Sequence, residues 1–145
     1  MYAYSQSLRD ELLAGITDAD LEFSVSGHNP RLLELFLELG TTQGTYTRAF
    51  RELRLRFDLT APSDVKTVAD LNHWFSSLDA EMLSALEALS NEDFAQTVAR
   101  GSYQMPLQTM FYTFREAILI TCAKVNVYFM AMNKPIPKQN QDWIG

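Results

Sequence analysis

The stretch TVADLNHWFSSLDAEMLSALEAL, Thr67 to Leu89, decides the fold class. Leu71, Trp74, Phe75, Leu78, Met82, Ala85, Leu86 and Leu89 recur at steps of three and four, which puts them on one face of a helix. Thr67 and Asp70 form a capping box: the threonine hydroxyl and the acid three residues on each satisfy a backbone N–H that the first turn leaves unpaired. Asp70, Asp79, Glu81 and Glu87 are read as the solvated opposite face.

On the N-terminal side, Ala61-Pro62-Ser63 is a connector, and Asn29-Pro30 opens a second long helix. Asn suits an N-cap, and Pro at the first helical position gives up only an N–H that has no partner there. Leu32, Leu33, Leu35, Phe36, Leu37 and Leu39 make that helix apolar nearly all round, as a central core helix must be. Its middle, Gly40 to Thr45, turns small and polar, and its two glycines let another backbone or a ligand come close. The alternation from Leu53 to Leu59 is read as a fraying helix end rather than a strand. A shorter helix runs from Ser5 to Gly15 with Leu8, Leu12 and Leu13 on one side. Thr17 to Asp20 has a capping pattern, and Leu21 to Gly27 is a brief connector.

On the C-terminal side, Ser90 to Asp93 is a second cap-like cluster, and Phe94 to Gln104 is a loop or a short extended piece. Pro106 starts the last long helix, which runs to Met132 and is stopped by Asn133 and Pro135. Trp143 and Ile144 suggest a tail that packs back on the body. The expectation is a single all-α domain over residues 1–145, a four-helix bundle with short irregular or extended connectors and no sheet.

Composition sets further bounds. The chain has 145 residues, with 47% hydrophobic and 21% charged, the balance of a globular domain. Its net charge of −6 argues against nucleic acid as a partner, which calls for a basic footprint. The most apolar stretch, Ala117 to Met132, is broken by Lys124 and Asn126, and a membrane span needs about 20 mostly apolar residues. The single cysteine excludes an internal disulfide framework and a Cys-cluster zinc site. The opening residues show neither a basic stretch nor an apolar signal segment, so the expected location is the cytoplasm.

Few residues invite chemistry. His28 sits in a loop, and His73 follows Asp70 at i+3, a spacing that could share a metal. A di-metal bundle needs a second such pair and two more carboxylates, and the second pair is absent. Glu34 and Glu38 lie one turn apart and could act as acid and base, but Arg31 beside Glu34 makes a solvated pair the simpler reading. Cys122 reads as a small core hydrophobe, and the arginines at 48, 51, 54 and 56 as one solvated face. In the last helix, Arg115, Glu116, Thr121, Lys124 and Asn126 interrupt apolar sequence. Lys124 either points inward to pair with Glu38 or Glu116, because an unpaired buried charge is costly, or snorkels to the surface.

Met105-Pro106-Leu107, the apolar helix after it and the segment Val127 to Pro137 resemble the end of the DinB/YfiT-like superfamily. The Asn29-Pro30 entry and the leucine-rich second helix resemble it as well. The resemblance implies a four-helix bundle, often dimeric, whose members often bind a divalent metal such as zinc or nickel through three histidines. It also implies that some relatives are thiol-dependent transferases or isomerases. By the register of the Tyr128–Pro137 end, two of the histidine positions fall on Ala117 and Thr121. The third falls between Glu38 and Thr42, where there is no histidine.

The expectation is therefore a non-catalytic member with no cofactor and no metal ligands, with catalytic residues unknown. It would be a homodimer that holds a small-molecule ligand or a partner between its second and last helices. The cleft candidates are Glu38, Thr41, Thr42, Gln43, Thr45, Glu116, Ala117, Thr121 and Lys124. The competing expectation is a thiol-dependent transferase or metal-dependent hydrolase with a divergent site.

Overall fold

In the computed structural model, which describes residues 2–144, four long helices form the body: α1 (Tyr2–Ala14), α2 (Leu32–Glu52), α3 (Val68–Glu87) and α4 (Leu107–Ala131). Helix α2 begins two residues later than Asn29-Pro30 suggests. Arg31 is its N-cap, and the Glu34 carboxylate accepts the Arg31 backbone N–H at 2.8 Å. The Thr67–Asp70 capping box forms as expected, with reciprocal bonds of 3.1 and 2.9 Å. Helix α4 ends in a Schellman motif. Asn133 takes the left-handed conformation (φ 54°), and the N–H groups of Asn133 and Lys134 reach the carbonyls of Met130 and Phe129.

The helices run in two parallel pairs. Trp74 packs on Gly40, Leu78 lies near Gly44, and Thr47 touches Met82, so α2 and α3 run the same way. Tyr46 meets Phe114, Phe50 meets Phe111, and the Tyr128 hydroxyl donates to the Pro30 carbonyl at 2.6 Å, so α4 runs opposite to α2. Tyr2 meets Asp79 near the start of α1, and Asp18 beyond its end meets the Val68 N–H, so α1 opposes α3. Parallel neighbours need a long crossover, and residues 53–67 provide it. Phe36, Phe75, Phe114 and Phe129 are fully buried at the centre.

Two expectations are corrected. The chain has a small sheet, β1 (Arg54–Leu55), β2 (Thr97–Arg100) and β3 (Tyr103–Pro106), with β1 parallel and β3 antiparallel to β2. Of the alternation from Leu53 to Leu59, Arg54 and Leu55 form a strand and the rest is irregular, and the extended piece after Phe94 contains a hairpin. Leu53 in the left-handed region (φ 55°) stops α2 sharply rather than letting it fray, and Gly101 (φ 58°) makes the hairpin turn. Leu55 and Val98 are buried and anchor this sheet on the bundle core. The tail does pack back, but as a helix, α5 (Lys138–Ile144). Asn140 donates to the Leu8 carbonyl at 3.0 Å, and Gln139 donates to Ser7 at 2.8 Å.

Gly40 is required by this packing. A Cβ there would run into the six-membered ring of Trp74. Gly40→Ala gains helix propensity but overpacks the α2–α3 seam, and it should cost about 1 kcal/mol net. Adding Trp74→Leu should turn the same alanine stabilising relative to Trp74→Leu alone, as read from urea midpoints.

Candidate functional site

Four of the cleft candidates come together. Glu38, Thr41, Thr42 and Thr45 line a surface groove of about 280 Å³ on α2, closed on the other side by Phe57 and Leu59 from the crossover. They meet because steps of three and four put them on one flank of the helix. The Thr41 hydroxyl donates to the Glu38 carbonyl at 2.9 Å, so it offers acceptor lone pairs to the groove. Glu38 is exposed and is the groove's one charged lining residue among the described residues.

The α4 candidates do not join this lining. Ala117 is half-buried, and Thr121 spends its hydroxyl proton on the Ala117 carbonyl at 3.0 Å. Lys124 and Glu116 are exposed, and among the described residues neither makes an ion pair with the other or with Glu38. Of the two readings of Lys124, the solvated one is correct: its position on α4 carries the ammonium out to water.

Gln43 turns the other way, into a buried network absent from the expected site. It is 1% exposed, and its amide donates to Asp79 Oδ1 at 2.7 Å. Arg9, 3% exposed, pairs with Asp79 Oδ2 at 2.7 Å, reaches the Gln43 amide oxygen at 3.3 Å and lies 4.2 Å over the Phe75 ring. The Tyr2 hydroxyl donates to Asp79 at 3.2 Å. Burial tends to raise the Asp79 pKa. The Arg9 hydrogen bond and charge, with Gln43 and Tyr2, outweigh it and hold the carboxyl below its usual value. Burial, then the Asp79 charge, pushes the Tyr2 phenol up. Placing Asp79 on the solvated face is thus corrected. It lies four residues after Phe75 and three before Met82, on the core side. Arg9 carried the same signal, three residues before Leu12 and four before Leu13.

The donor set for a divalent metal does not fit. Ala117 has no donor, Thr121 offers a hydroxyl, and Glu38 is a lone carboxylate. Among the described residues no group of three or more His, Cys, Asp or Glu side chains could hold a metal ion. His73 is exposed, and the neighbouring Asp70 carboxylate is occupied by the N–H groups of Lys66 and Thr67. His28 is exposed in its loop. Glu34 is committed to its helix cap. Cys122 is buried, which pushes its thiol up to about 12. It should therefore resist a thiol-specific disulfide reagent in the folded protein and react only on unfolding; rapid labelling of native protein would contradict this.

This arrangement of four helices, crossover and terminal sheet is the DinB-like fold. The chain superposes on a DinB-like protein of Bacillus subtilis with a TM-score of 0.77 at 13% identity, covering 92% of this chain and 90% of that one. A DinB-like protein of Bacillus cereus gives 0.78 at 12% identity, covering 94% and 91%. No family model and no curated protein matches the sequence. No helix among the described residues is long and apolar enough to cross a membrane.

Proposed function

We propose that this protein is a non-catalytic, ligand-binding member of the DinB-like fold, and that the α2 groove is its binding site. The observation that carries the reading is the donor set: where the resemblance puts metal-binding histidines, there are Ala117, Thr121 and a stretch of acid and hydroxyl side chains. Such a set supplies neither a Lewis acid nor an activated nucleophile. It does supply hydrogen-bond acceptors around one carboxylate, walled by Phe57 and Leu59. The ligand chemistry that suits it is a small molecule with amine and hydroxyl donors.

Titrating amino alcohols such as ethanolamine, followed by backbone NMR, tests this. Shifts should centre on Glu38, Thr42 and Phe57, and Glu38→Gln should weaken binding about tenfold. Shifts scattered over the acidic surface, or no change in Glu38→Gln, would refute it.

A second copy of the chain is the proposed partner. Tyr112, Ile120, Val127 and Met130 are all about half exposed and follow one another along the outward flank of α4. The exposed Glu116 lies on the same flank between Tyr112 and Ile120, so it is the apolar part from Ile120 to Met130 that suits an isologous helix–helix contact. Ile120→Glu with Val127→Glu should convert a dimer to a monomer in sedimentation velocity without loss of fold. A monomeric parent would refute the contact. A cytoplasmic setting suits a chain whose one cysteine is a buried free thiol.

A further inference from the structure

We propose that α5 is a strap that opens from the body as a unit while the four long helices stay folded. Its seven residues are too few for a helix that holds itself together in water, so α5 forms only where docking supports it. Residues 132–137, with Pro135 and Pro137, tie it to α4.

The contacts that hold it are thin. The Asn140 amide donates to the Leu8 carbonyl at 3.0 Å, and the Gln139 amide donates to the Ser7 hydroxyl at 2.8 Å. Trp143 meets Tyr4 edge to face at a centroid distance of 4.6 Å, yet stays 60% exposed. Ile136 and Ile144 are only partly buried against the core. The Lys138–Asp142 ion pair lies within α5 and is solvated, and a pair of that kind contributes little.

The polar atoms buried along the strap work against docking. Asn140 is fully buried, and its Oδ1 finds no hydrogen-bond partner among the described residues. Neither do the buried Asn126 Oδ1 and Nδ2, nor Glu11 Oε2. These side chains lie along one seam. Tyr4, Ser7 and Leu8 touch α5, and Glu11 continues that flank of α1 at helical spacing. Leu119 of α4 lines the same groove as Trp143, and Asn126, seven residues on, lies on the flank of Leu119. Tyr2 meets Phe114 and Gly15 lies against Phe129, so α1 and α4 run parallel, which sets Glu11 within a turn of Asn126. A buried polar atom without a partner forfeits its bond to water, and that loss exceeds the gain from a typical bond that is made. Opening returns these atoms to water. The long helices carry the fully buried core, so they outlast the strap.

Opening also takes away Trp143, one wall of a groove of about 390 Å³ that Tyr4, Leu8 and Leu119 line. The face that α1 and α4 present here therefore depends on the strap. The α2 groove shares no residue with it, so the two proposals stand or fall separately.

Native-state hydrogen exchange of the full chain, followed by NMR in urea below the unfolding transition, tests this. The amides of Gln141 to Trp143 should exchange at least about 100-fold faster than those of Leu12 and Val125. Urea should hardly change their rate, because a local opening exposes little surface. Asn126→Leu, which keeps the branching of the side chain without its polar atoms, should slow α5 exchange about tenfold. Gln6→Met is the control. The Gln6 amide is also buried without a partner, but it lies on the flank of Tyr2 and Arg9, which face α3. It should leave α5 exchange unchanged. If Asn126→Leu does not fold, Glu11→Met takes its place with the same expected slowing. Exchange of α5 at the rate and urea dependence of the core would overturn the proposal. So would a folded Asn126→Leu or Glu11→Met protein whose α5 exchanges as fast as in the parent, or a Gln6→Met protein that slows it equally.

Discussion

Asp79→Ala is expected to cost about 3 kcal/mol of folding stability, because it leaves the Arg9 guanidinium charged in the core. Asp79 itself is 27% exposed, so the loss should fall at the lower end of what breaking a buried pair costs. Asp10 still touches Arg9 at 2.7 Å but is itself mostly solvated, so it compensates only in part. Removing both charges with Arg9→Met and Asp79→Leu should recover most of the loss, because the expensive state is a lone buried charge. Urea unfolding of the two single variants and the double variant measures this. A double variant no better than Asp79→Ala would mean that the network contributes through shape rather than charge.

The same pair gives a pH dependence with a definite sign. The folded-state pKa of Asp79 is depressed, so at acid pH the unfolded chain binds the proton more readily. The stabilisation is fully present above the unfolded value of about 3.9 and is lost as pH falls through the folded value. Asp20, Glu34, Asp58, Asp70 and Asp93 are also held low by hydrogen bonds. The test is therefore the difference between parent and Asp79→Asn. It should be largest at neutral pH and shrink towards pH 3 or so.

The largest effect of all is expected at Phe114. Its ring is buried where α1, α2 and α4 meet, 5.3 Å from Tyr46 and 6.4 Å from Tyr2. Phe114→Ala should cost about 4 kcal/mol, through lost transfer energy and the cavity left behind. Phe114→Leu, which keeps most of the volume, should cost about 1.5 kcal/mol or less. A loss under about 1.5 kcal/mol for the alanine variant would mean that this junction collapses freely.

The long helices were legible because each runs for several turns, so the three-and-four spacing repeats often enough to show. The sheet was not, since strands of two and four residues are too short for alternation to stand out from a helix end. Helix α5 was hidden for the same reason: seven residues carry little periodicity, and only Trp143 and Ile144 marked it as packed. In the site, the threonines of α2 were legible as a polar interruption in apolar sequence. The direction of Gln43 was not, because its side chain follows Arg9 and Asp79, which are distant in sequence. Both of those could have been found. Each sits at helical spacing from apolar neighbours, and a charge in such a position implies a buried partner. What packs on Gly40 could not be read either: glycine signals only a close approach, and Trp74 comes from another helix.

The most direct test of a DinB-like fold without the metal site is calorimetric titration of untagged, chelator-treated protein with zinc, nickel and manganese. The expected result is no stoichiometric tight binding, with only weak heats that vanish in salt. One equivalent bound tightly, and released by Glu38→Gln or Thr121→Val, would contradict it and restore a metal-dependent activity to the α2–α4 cleft.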